Sequence, residues 1–235
     1  MRGAARVRAR TLLSPASPPT PLGRLPTQVD CVVSEWMGFH LLHEAMLDSV
    51  LFARAKWLRP GGRMLPCTAR VFAAPVCMDA FCADKFGFWS DVRGFDMSAL
   101  APLAAAAALA EPAVTDVAPE QLLAAPALVA SIDCATARVA DLYADLGGHL
   151  AFPCTRTGMC HGFALWFETA FPADDGAAAV TLSTAPGAPR THWQQSVLLL
   201  PEMLAATAGA TALDCTLLLR KDPEQPRLCV LDLEM

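Results

Sequence analysis

The amino-acid sequence predicts an α+β protein in which a strand–helix–strand unit precedes a part made mostly of strands. The stretch from Asp30 to Ser34 contains the run Cys31-Val32-Val33, which is too short for a helix and is typical of a buried strand. A helix is predicted from His43 to Leu58, because apolar residues recur there at helical spacing and Pro60-Gly61-Gly62 stops it. After Arg63, short apolar segments alternate with Gly, Pro and Asp, which favours a sandwich or a barrel.

The strands predicted for this second part are bounded by turn residues. The first lies in MLPCTARVFAAPV, and a polar hairpin loop is predicted over 220–226. The others are Ala137 to Ala144, His161 to Phe171, Ala178 to Ser183, Ser196 to Leu200, Thr211 to Leu219 and Arg227 to Leu233. Between them, the stretch from Ala101 to Ala130 is biased towards Ala and Pro and carries little positional information.

Composition narrows the classes of protein and partner. The chain has 235 residues, of which 54% are hydrophobic, enough for one large domain or two small ones. The net charge of −5 gives no nucleic-acid footprint, and it suits basic, arginine-bearing protein partners. No apolar run reaches the roughly 18 residues that a bilayer-spanning helix needs, so no membrane partner is predicted.

The cysteines indicate neither a disulfide framework nor a metal centre. They number nine, are scattered, form no C-x-x-C pair and lie mostly in apolar runs, as buried reduced thiols do. Cys154, Cys160 and His161 are close in sequence, but their spacing does not fit a structural zinc site, and no metal is predicted.

Two glutamates are the candidate chemical groups. Glu35 follows the first predicted strand and Glu44 is expected in the first turn of the helix, so both carboxylates can face the crevice at the strand's carboxyl end. A guanidinium is a permanent planar cation whose N–H donors match carboxylate oxygens in bidentate fashion. The pair therefore suits an arginine side chain. On spacing alone, the alternative is that both are ordinary helix-start and surface acids.

Three motifs carry a family resemblance. Ser34-Glu35-Trp36-Met37-Gly38, followed by Leu41-Leu42-His43-Glu44-Ala45-Met46-Leu47, resembles the double-E loop of the protein arginine methyltransferases, and LFARAKWLRPGGRMLP is similar to that family's next helix and strand. Thr191-His192-Trp193 resembles the family's THW loop. The segment from His161 to Phe167, HGFALWF, is most similar to the arginine methyltransferase 6 branch, among the type I enzymes. The resemblance covers roughly Leu25 to Leu231.

The resemblance implies a domain organisation. Residues 25–66 are expected to be the C-terminal part of a Rossmann-like methyltransferase domain, and 67–235 a β-barrel substrate domain with a helical dimerisation arm at about 84–116. Before Glu35 the only glycines are Gly3 and Gly23, so most of the N-terminal cofactor-binding half is expected to be missing. Residues 1–24 are rich in arginine and proline and are predicted to be irregular, either through truncation or gene-model error or as an organellar transit peptide.

The resemblance also implies a function. The expected activity is transfer of methyl groups from S-adenosyl-L-methionine to arginine guanidino nitrogens of histone or Arg/Gly-rich tails, giving asymmetric dimethylarginine, in the nucleus or cytoplasm. The implied catalytic residues are Glu35 and Glu44, the implied substrate-binding residues His192, Trp193 and Trp36, and the implied cofactor-binding residue Met46. His40 and His43 are interpreted as loop residues, the alternative being proton carriers. The implied dimerisation partner is an intact relative or a second copy of this chain, and of the two the intact relative is expected to be preferred.

Two other functions remain open at the level of sequence. The first is a catalytically inactive interaction module that pairs with an intact methyltransferase, which would explain the missing upstream half. The second is a carboxylate-pair hydrolase of the glycosidase type, which also needs two acids in one crevice. The Ser34-to-Gly38 and Thr191-to-Trp193 motifs argue against the hydrolase.

Overall fold

The computed structural model describes residues 28–173 and 178–235, together with the backbone of 6–9. Its strands, in chain order, are β1 Arg6–Ala9, β2 Val29–Val33, β3 Leu58–Leu65, β4 Thr68–Val76, β5 Ala113–Thr115, β6 Ala127–Asp133, β7 Leu146–Pro153, β8 Gly158–Phe171, β9 Val180–Ser183, β10 Gln195–Ala206, β11 Ala212–Lys221 and β12 Cys229–Glu234. Its α-helices are α1 Leu47–Trp57, α2 Asp79–Cys82 and α3 Ala101–Ala110.

The first unit is a parallel strand pair crossed by one helix. β2 pairs with β3 in parallel, with Val33 opposite Leu65, and α1 connects the two strands. The buried residues of α1 are Leu47, Val50 and Leu51, which recur at helical spacing and form its inner face. This strand–helix–strand order is the one that the sequence predicts.

The helix is shorter than the sequence predicts, because it begins at Leu47 and not at His43. Glu44 and Ala45 have φ angles of 76° and 58°, which an α-helix with φ near −63° cannot contain. The prediction that Glu44 lies in the first helical turn is therefore wrong. The acid in that turn is Asp48.

The second part consists of two antiparallel sheets around a shared core. One sheet has the strand order β5-β10-β8-β4-β6, with β9 also pairing with β8, and the other has the order β1-β12-β11-β7. Phe163 and Phe167 of the first sheet join Leu217 and Leu231 of the second in one buried cluster. β6 and β7 lie next to each other where the sheets meet. The two sheets thus surround the core from opposite sides.

The other face of the first sheet is covered by helical segments. Ala164 and Trp166 of β8 belong to a second buried cluster with Val76 and Met78. Phe81, Phe86 and Leu109 pack against that cluster from α2, the following π-helical turn and α3. Since both faces of β8 are covered, its central part from Gly162 to Phe167 is a continuous apolar run and not an alternating one.

The predicted arm, 84–116, is helical over much of its length. The turns Ala83–Gly87, Phe88–Ser90 and Ser98–Leu100 precede α3, whose alanines favour a helix and whose Pro102 lies at its start. Large apolar side chains of this segment remain exposed, among them Phe95 at 72% and Leu103 at 69%. A monomer seldom leaves such a group of side chains in water.

Four of the observed strands, β1, β5, β6 and β7, are not predicted, and one predicted strand is wrong. β6 and β7 lie in stretches with weak local patterns, and their pairing with β4 and β11 defines them. The segment from Ala137 to Ala144 is predicted as a strand, but Val139–Tyr143 forms a 3-10 helix. The carboxylate of Asp141 accepts hydrogen bonds from the amide of Arg138 at 2.9 Å and from its guanidinium at 2.8 Å, which favours a helical turn.

The N-terminal segment is described only in part. The sequence predicts irregular structure over 1–24, but Arg6–Ala9 pairs antiparallel with β12, so this part of the prediction is wrong. The edge of β12 offers unpaired backbone groups, which an extended segment can satisfy. Residues 1–5 and 10–24 lie outside the described residues. Within the described ranges, no helix is long and apolar enough to cross a bilayer.

Candidate active site

The candidate site is built on the loop 34–46, which connects β2 to α1. Four of its residues that are not glycine have left-handed backbone conformations: His40 (φ 42°), Leu41 (φ 75°), Glu44 (φ 76°) and Ala45 (φ 58°). Such conformations cost on the order of 1–3 kcal/mol each and persist only where surrounding contacts impose them. The loop is therefore shaped by tertiary contacts.

Apolar side chains anchor the loop to the core. Trp36, Met37, Leu41 and Leu42 are all less than 5% exposed. Gly38 and Leu41 exchange two backbone hydrogen bonds of 3.0 Å, which close a tight turn. A Cβ atom on Gly38 would lie 1.8 Å from the carbonyl oxygen of His43, so only glycine fits there.

The Thr191-His192-Trp193 segment contacts this loop directly. The indole Nε1 of Trp193 donates a hydrogen bond of 2.9 Å to the carbonyl oxygen of Met37. The ring of Trp193 packs edge-on against Phe167, with 5.3 Å between centroids, and lies 3.9 Å from the ring of His192. Two motifs far apart in sequence are therefore joined in one site.

The two glutamates occupy different environments at this site. Glu35 is exposed and follows the end of β2. Glu44 is half-buried, and its amide donates a hydrogen bond of 2.8 Å to the carbonyl oxygen of Arg227. The carboxylates thus project from opposite ends of the same loop, one at the strand and one just before the helix.

The remaining predicted residues differ in their access to a ligand. His192 is exposed, and Met46 is half-buried against the core just before α1. The resemblance implies that Trp36 binds substrate, but its side chain is 1% exposed and packs beneath the loop, so it offers almost no accessible surface to a ligand. Trp36 and Trp193 therefore support the loop from the core side, whereas His192 remains accessible to a ligand.

Two histidines lie buried under the loop. Nδ1 of His40 lies 3.3 Å from Oγ of Ser196, and the His40 and His43 rings are 5.5 Å apart. Burial, with His43 as a second cause, lowers the pKa of His40 to about 3. Burial is also the main cause of the lowered pKa of His43. The charges of Glu44 and Glu111 act to raise this pKa, and the charge of Arg227 acts to lower it. Both rings are therefore neutral at pH 7, as structural loop residues are.

Sequence reasoning missed the groups that connect this loop to the second part of the chain. They are Ser196, Arg227, and the ion pair between Asp48 and Lys221. Lys221 is a lysine at the end of the apolar strand β11, but such lysines are common at strand ends and do not indicate a site. Their role depends on contacts between distant segments.

A second cluster brings Cys77, Asp79 and His161 together. The Cys77 thiol donates to Asp79 at 3.1 Å, and Nε2 of His161 lies 3.3 Å from the same carboxylate. Nδ1 of His161 accepts the amide of Met78 at 3.0 Å, so the neutral ring carries its proton on Nε2. A histidine that binds a metal through Nε2 needs the proton on Nδ1, where it would oppose the Met78 N–H. The cluster is a hydrogen-bonded group and is not assigned as a metal centre.

The glutamate loop lies on a parallel strand–helix unit and contacts the His–Trp segment of the strand-rich part, so the motifs that carry the resemblance lie together in the structure. Residues 67–235 match the model of the arginine methyltransferase oligomerization subdomain. The chain belongs to the protein arginine methyltransferase family. The predicted family and its fold class are thereby confirmed.

Individual relatives support this assignment. The chain is 42% identical over 191 residues to protein arginine N-methyltransferase 6 of Xenopus laevis, covering 78% of this chain and 54% of that protein. It resembles a chain of the Trypanosoma brucei PRMT1 enzyme-prozyme heterotetrameric complex with AdoHcy (TM-score 0.76, 30% identity, 89% of this chain and 64% of that one). It also resembles Arabidopsis thaliana protein arginine methyltransferase 10 (TM-score 0.71, 29% identity, 89% and 66%). The chain spans about half the length of the curated relatives that it matches.

Proposed function

We propose that this chain forms the arginine-binding part of a protein arginine methyltransferase site, with Glu35 and Glu44 as the guanidinium ligands. The observation that carries the proposal is the loop 34–46. Its strained backbone is fixed by the Trp193–Met37 hydrogen bond on one side and the Glu44–Arg227 hydrogen bond on the other. A loop fixed from both sides can present two carboxylates to one planar cation.

The chemistry follows from the charges. Two carboxylates on one guanidinium fix its plane and raise the electron density on the nitrogen that accepts the methyl group. Orientation of that nitrogen is the part of the acceleration that these two carboxylates can supply. One of the glutamates accepts the proton that the product loses, with the exposed His192 as a second acceptor.

The described residues fit S-adenosyl-L-methionine only in part. When bound, that cofactor supplies the methyl group as an activated sulfonium. Of the residues implied as cofactor ligands, Met46 is half-buried against the core and offers a thioether and apolar contact. A thioether cannot bind an adenine, a ribose diol and an amino-acid headgroup. The described residues therefore do not form a complete cofactor site.

The proposed substrates are histone and Arg/Gly-rich tails, with asymmetric dimethylarginine as the product, in the nucleus or cytoplasm. The net charge of −5 supports basic protein substrates, because it favours their encounter with the chain. The likeness to protein arginine N-methyltransferase 6 of Xenopus laevis supports the same class.

Peptide binding to the purified chain tests the arginine-binding role. A fluorescent Arg/Gly-rich peptide should bind more tightly than the same peptide with lysine in place of arginine, because an ammonium lacks the planar fork of donors. Glu35→Gln and Glu44→Gln should each weaken binding of the arginine peptide at least about tenfold, since a charge-assisted contact is worth roughly 1.5–3 kcal/mol.

Glu202→Gln is the matched control, because Glu202 is exposed on β10 outside the loop. It should leave the affinity unchanged. Equal binding of the arginine and lysine peptides, or equal affinity of Glu44→Gln and the wild type, would rule out the glutamates as guanidinium ligands.

A second candidate function is a non-catalytic module that assembles with an intact methyltransferase. The exposed apolar side chains of the helical segment 83–110 favour it, and so does the match of 67–235 to an oligomerization subdomain. The similar Trypanosoma brucei chain belongs to an enzyme-prozyme complex. A methyl-transfer assay of an intact relative, with and without this chain, separates the two functions. If this chain is a non-catalytic module, it should change the relative's rate even when this chain carries both Glu35→Gln and Glu44→Gln.

A further inference from the structure

The backbone of Glu44 is fixed by a part of the chain that lies far away in sequence. Its amide donates to the carbonyl oxygen of Arg227 at 2.8 Å, and Arg227 lies in the turn between β11 and β12. This hydrogen bond holds Glu44 at a φ of 76°. We name the turn from Lys221 to Leu228 the clamp hairpin.

The clamp hairpin is itself tightly closed. Oδ1 of Asp222 accepts the amides of Glu224 and Gln225 at 2.8 and 3.1 Å. The amide of Asp222 donates to the carbonyl oxygen of Leu228 at 3.0 Å, and that of Leu228 to Gln225 at 2.8 Å. Asp222 and Leu228 are 1% and 2% exposed. The position of the Arg227 carbonyl is therefore well defined.

A second contact connects the hairpin to the first turn of α1. Lys221 is 1% exposed, and its ammonium forms an ion pair with the carboxylate of Asp48. The same ammonium lies 4.7 Å from the centre of the Tyr143 ring. Removing one partner of a buried ion pair leaves the other charge uncompensated, so such a pair resists separation. The hairpin thus holds the segment from Glu44 to Asp48 at both ends.

Without these contacts the segment would have another preferred structure. The residues from Glu44 to Leu47 are Glu, Ala, Met and Leu, all strong helix formers, and Met46 already has helical angles. The local preference is to extend α1 by about one turn towards its N-terminus. That extension would rotate the Glu44 carboxylate away from its present direction, since helical and left-handed backbones project the side chain differently.

We propose that the clamp hairpin is the positioning element for Glu44, and that the Lys221–Asp48 ion pair keeps α1 from extending through that glutamate. Lys221 is a positioning residue in this arrangement, because it acts on Glu44 through α1. The consequence for guanidinium binding rests on the function proposed above, whereas the conformational consequence does not.

Amide hydrogen exchange on the chain tests the conformational part. Lys221→Met, Asp48→Asn and the double variant should each speed exchange of the Glu44 amide at least about tenfold. The double variant should not exceed Lys221→Met, because both changes break one contact. Amides in the centre of β8 should keep their wild-type rates. Asp48→Glu, which retains the charge, should restore slow exchange.

Arg70→Met is the matched control, since Arg70 forms an ion pair with Glu168 on the other sheet. It should leave the Glu44 amide unaffected. Unchanged exchange at Glu44 in Lys221→Met, or equal acceleration at every amide, would overturn the positioning role. Asp48→Asn provides the same test if Lys221→Met does not fold, because the side chain of Asp48 is 29% exposed and asparagine keeps its shape.

Binding of the arginine peptide distinguishes this proposal from the proposed function. If Asp48→Asn speeds Glu44 exchange and weakens binding of the arginine peptide but not of the lysine peptide, both are supported. If exchange speeds up while the wild type does not prefer arginine, the hairpin positions Glu44 and the guanidinium role is wrong. If exchange is unchanged, the positioning role is wrong whatever the peptides do.

Discussion

At the scale of single residues, the site contains two polar side chains that are almost completely buried. His40 and His43 are 4% and 1% exposed, although imidazoles are ordinarily solvated. Nε2 of His40 and both ring nitrogens of His43 have no hydrogen-bond partner among the described residues. A buried polar atom without a partner costs about 1–3 kcal/mol. These rings therefore make the loop a weak point of the fold, and one that is sensitive to protons.

The pH dependence of stability follows from His40. Its pKa is about 3 in the folded protein and 6.5 ordinarily, so the unfolded chain binds a proton that the folded chain excludes. The contribution of neutral, buried His40 to the free energy of unfolding is fully present above about pH 6.5, and it is lost as the pH falls towards 3. We expect the free energy of unfolding to fall by about 2 kcal/mol between about pH 8 and about pH 5 through this residue. Urea unfolding at both pH values measures it.

His40→Asn should reduce this pH dependence, because asparagine does not titrate and tolerates a left-handed backbone. Part of the dependence remains, since burial also lowers the pKa of His43. The control His149→Asn removes an exposed histidine and should leave the pH dependence as it is in the wild type. An identical pH dependence in His40→Asn and the wild type would contradict the assignment.

At the scale of elements, the loop 34–46 depends on one glycine. A methyl group on Gly38 would lie 1.8 Å from the His43 carbonyl oxygen, which is backbone and cannot move aside cheaply. Gly38→Ala should therefore destabilise the protein by about 2 kcal/mol or more, as other overpacked sites do. It should also shift the fluorescence of Trp193, whose indole donates to Met37 in the same turn. Chemical denaturation followed by tryptophan fluorescence measures both effects.

Gly87→Ala supplies the comparison for that experiment. No atom lies within 4 Å of the Cβ that this change would add, so its effect should be small. If Gly38→Ala and Gly87→Ala have the same stability, the close approach of Gly38 to His43 does not constrain the loop.

At the scale of the whole molecule, the helical segment 83–110 leaves large apolar side chains exposed. Phe95 and Leu103 are 72% and 69% exposed on the helical segment 83–110. We expect the isolated chain to self-associate poorly and to co-assemble with an intact relative, such as full-length protein arginine N-methyltransferase 6 of Xenopus laevis. Sedimentation velocity on the chain, the relative and their mixture measures this.

The variant Phe95→Ser with Leu103→Ser should weaken that co-assembly at least about tenfold, because it removes apolar contact area. Val180→Ser, at a site 66% exposed on β9, removes apolar area elsewhere and should not weaken it. A tight homodimer of the isolated chain would contradict the expected preference for a relative.

Cofactor binding by the isolated chain is expected to be weak. The described methyltransferase part contains one parallel strand pair, and Met46 is the only cofactor ligand that the resemblance assigns within it. Isothermal titration of the chain with S-adenosyl-L-methionine should therefore give a dissociation constant well above micromolar. Titration of the mixture with an intact relative is the positive control. Micromolar binding by the chain alone would show that its residues suffice.

The sequence by itself determined the class of fold and the family. The run Cys31-Val32-Val33 and the stripe of Leu47, Val50 and Leu51 define a strand and a helix because their periodicity is local. Local patterns also predict most of β8, β9 and β12, and the glutamate and His–Trp motifs indicate the family. Whether those residues bind a guanidinium and the cofactor remains a prediction.

The tertiary structure alone decided how the site is shaped. Local preference predicts a helix through Glu44. In the structure Glu44 has a left-handed backbone, its amide donates to the carbonyl oxygen of Arg227, and Lys221 forms an ion pair with Asp48 nearby. β6 and β7 likewise exist through pairing with β4 and β11 and not through their own patterns. Contacts between distant segments leave no periodic signal in either segment, so a single sequence cannot show them.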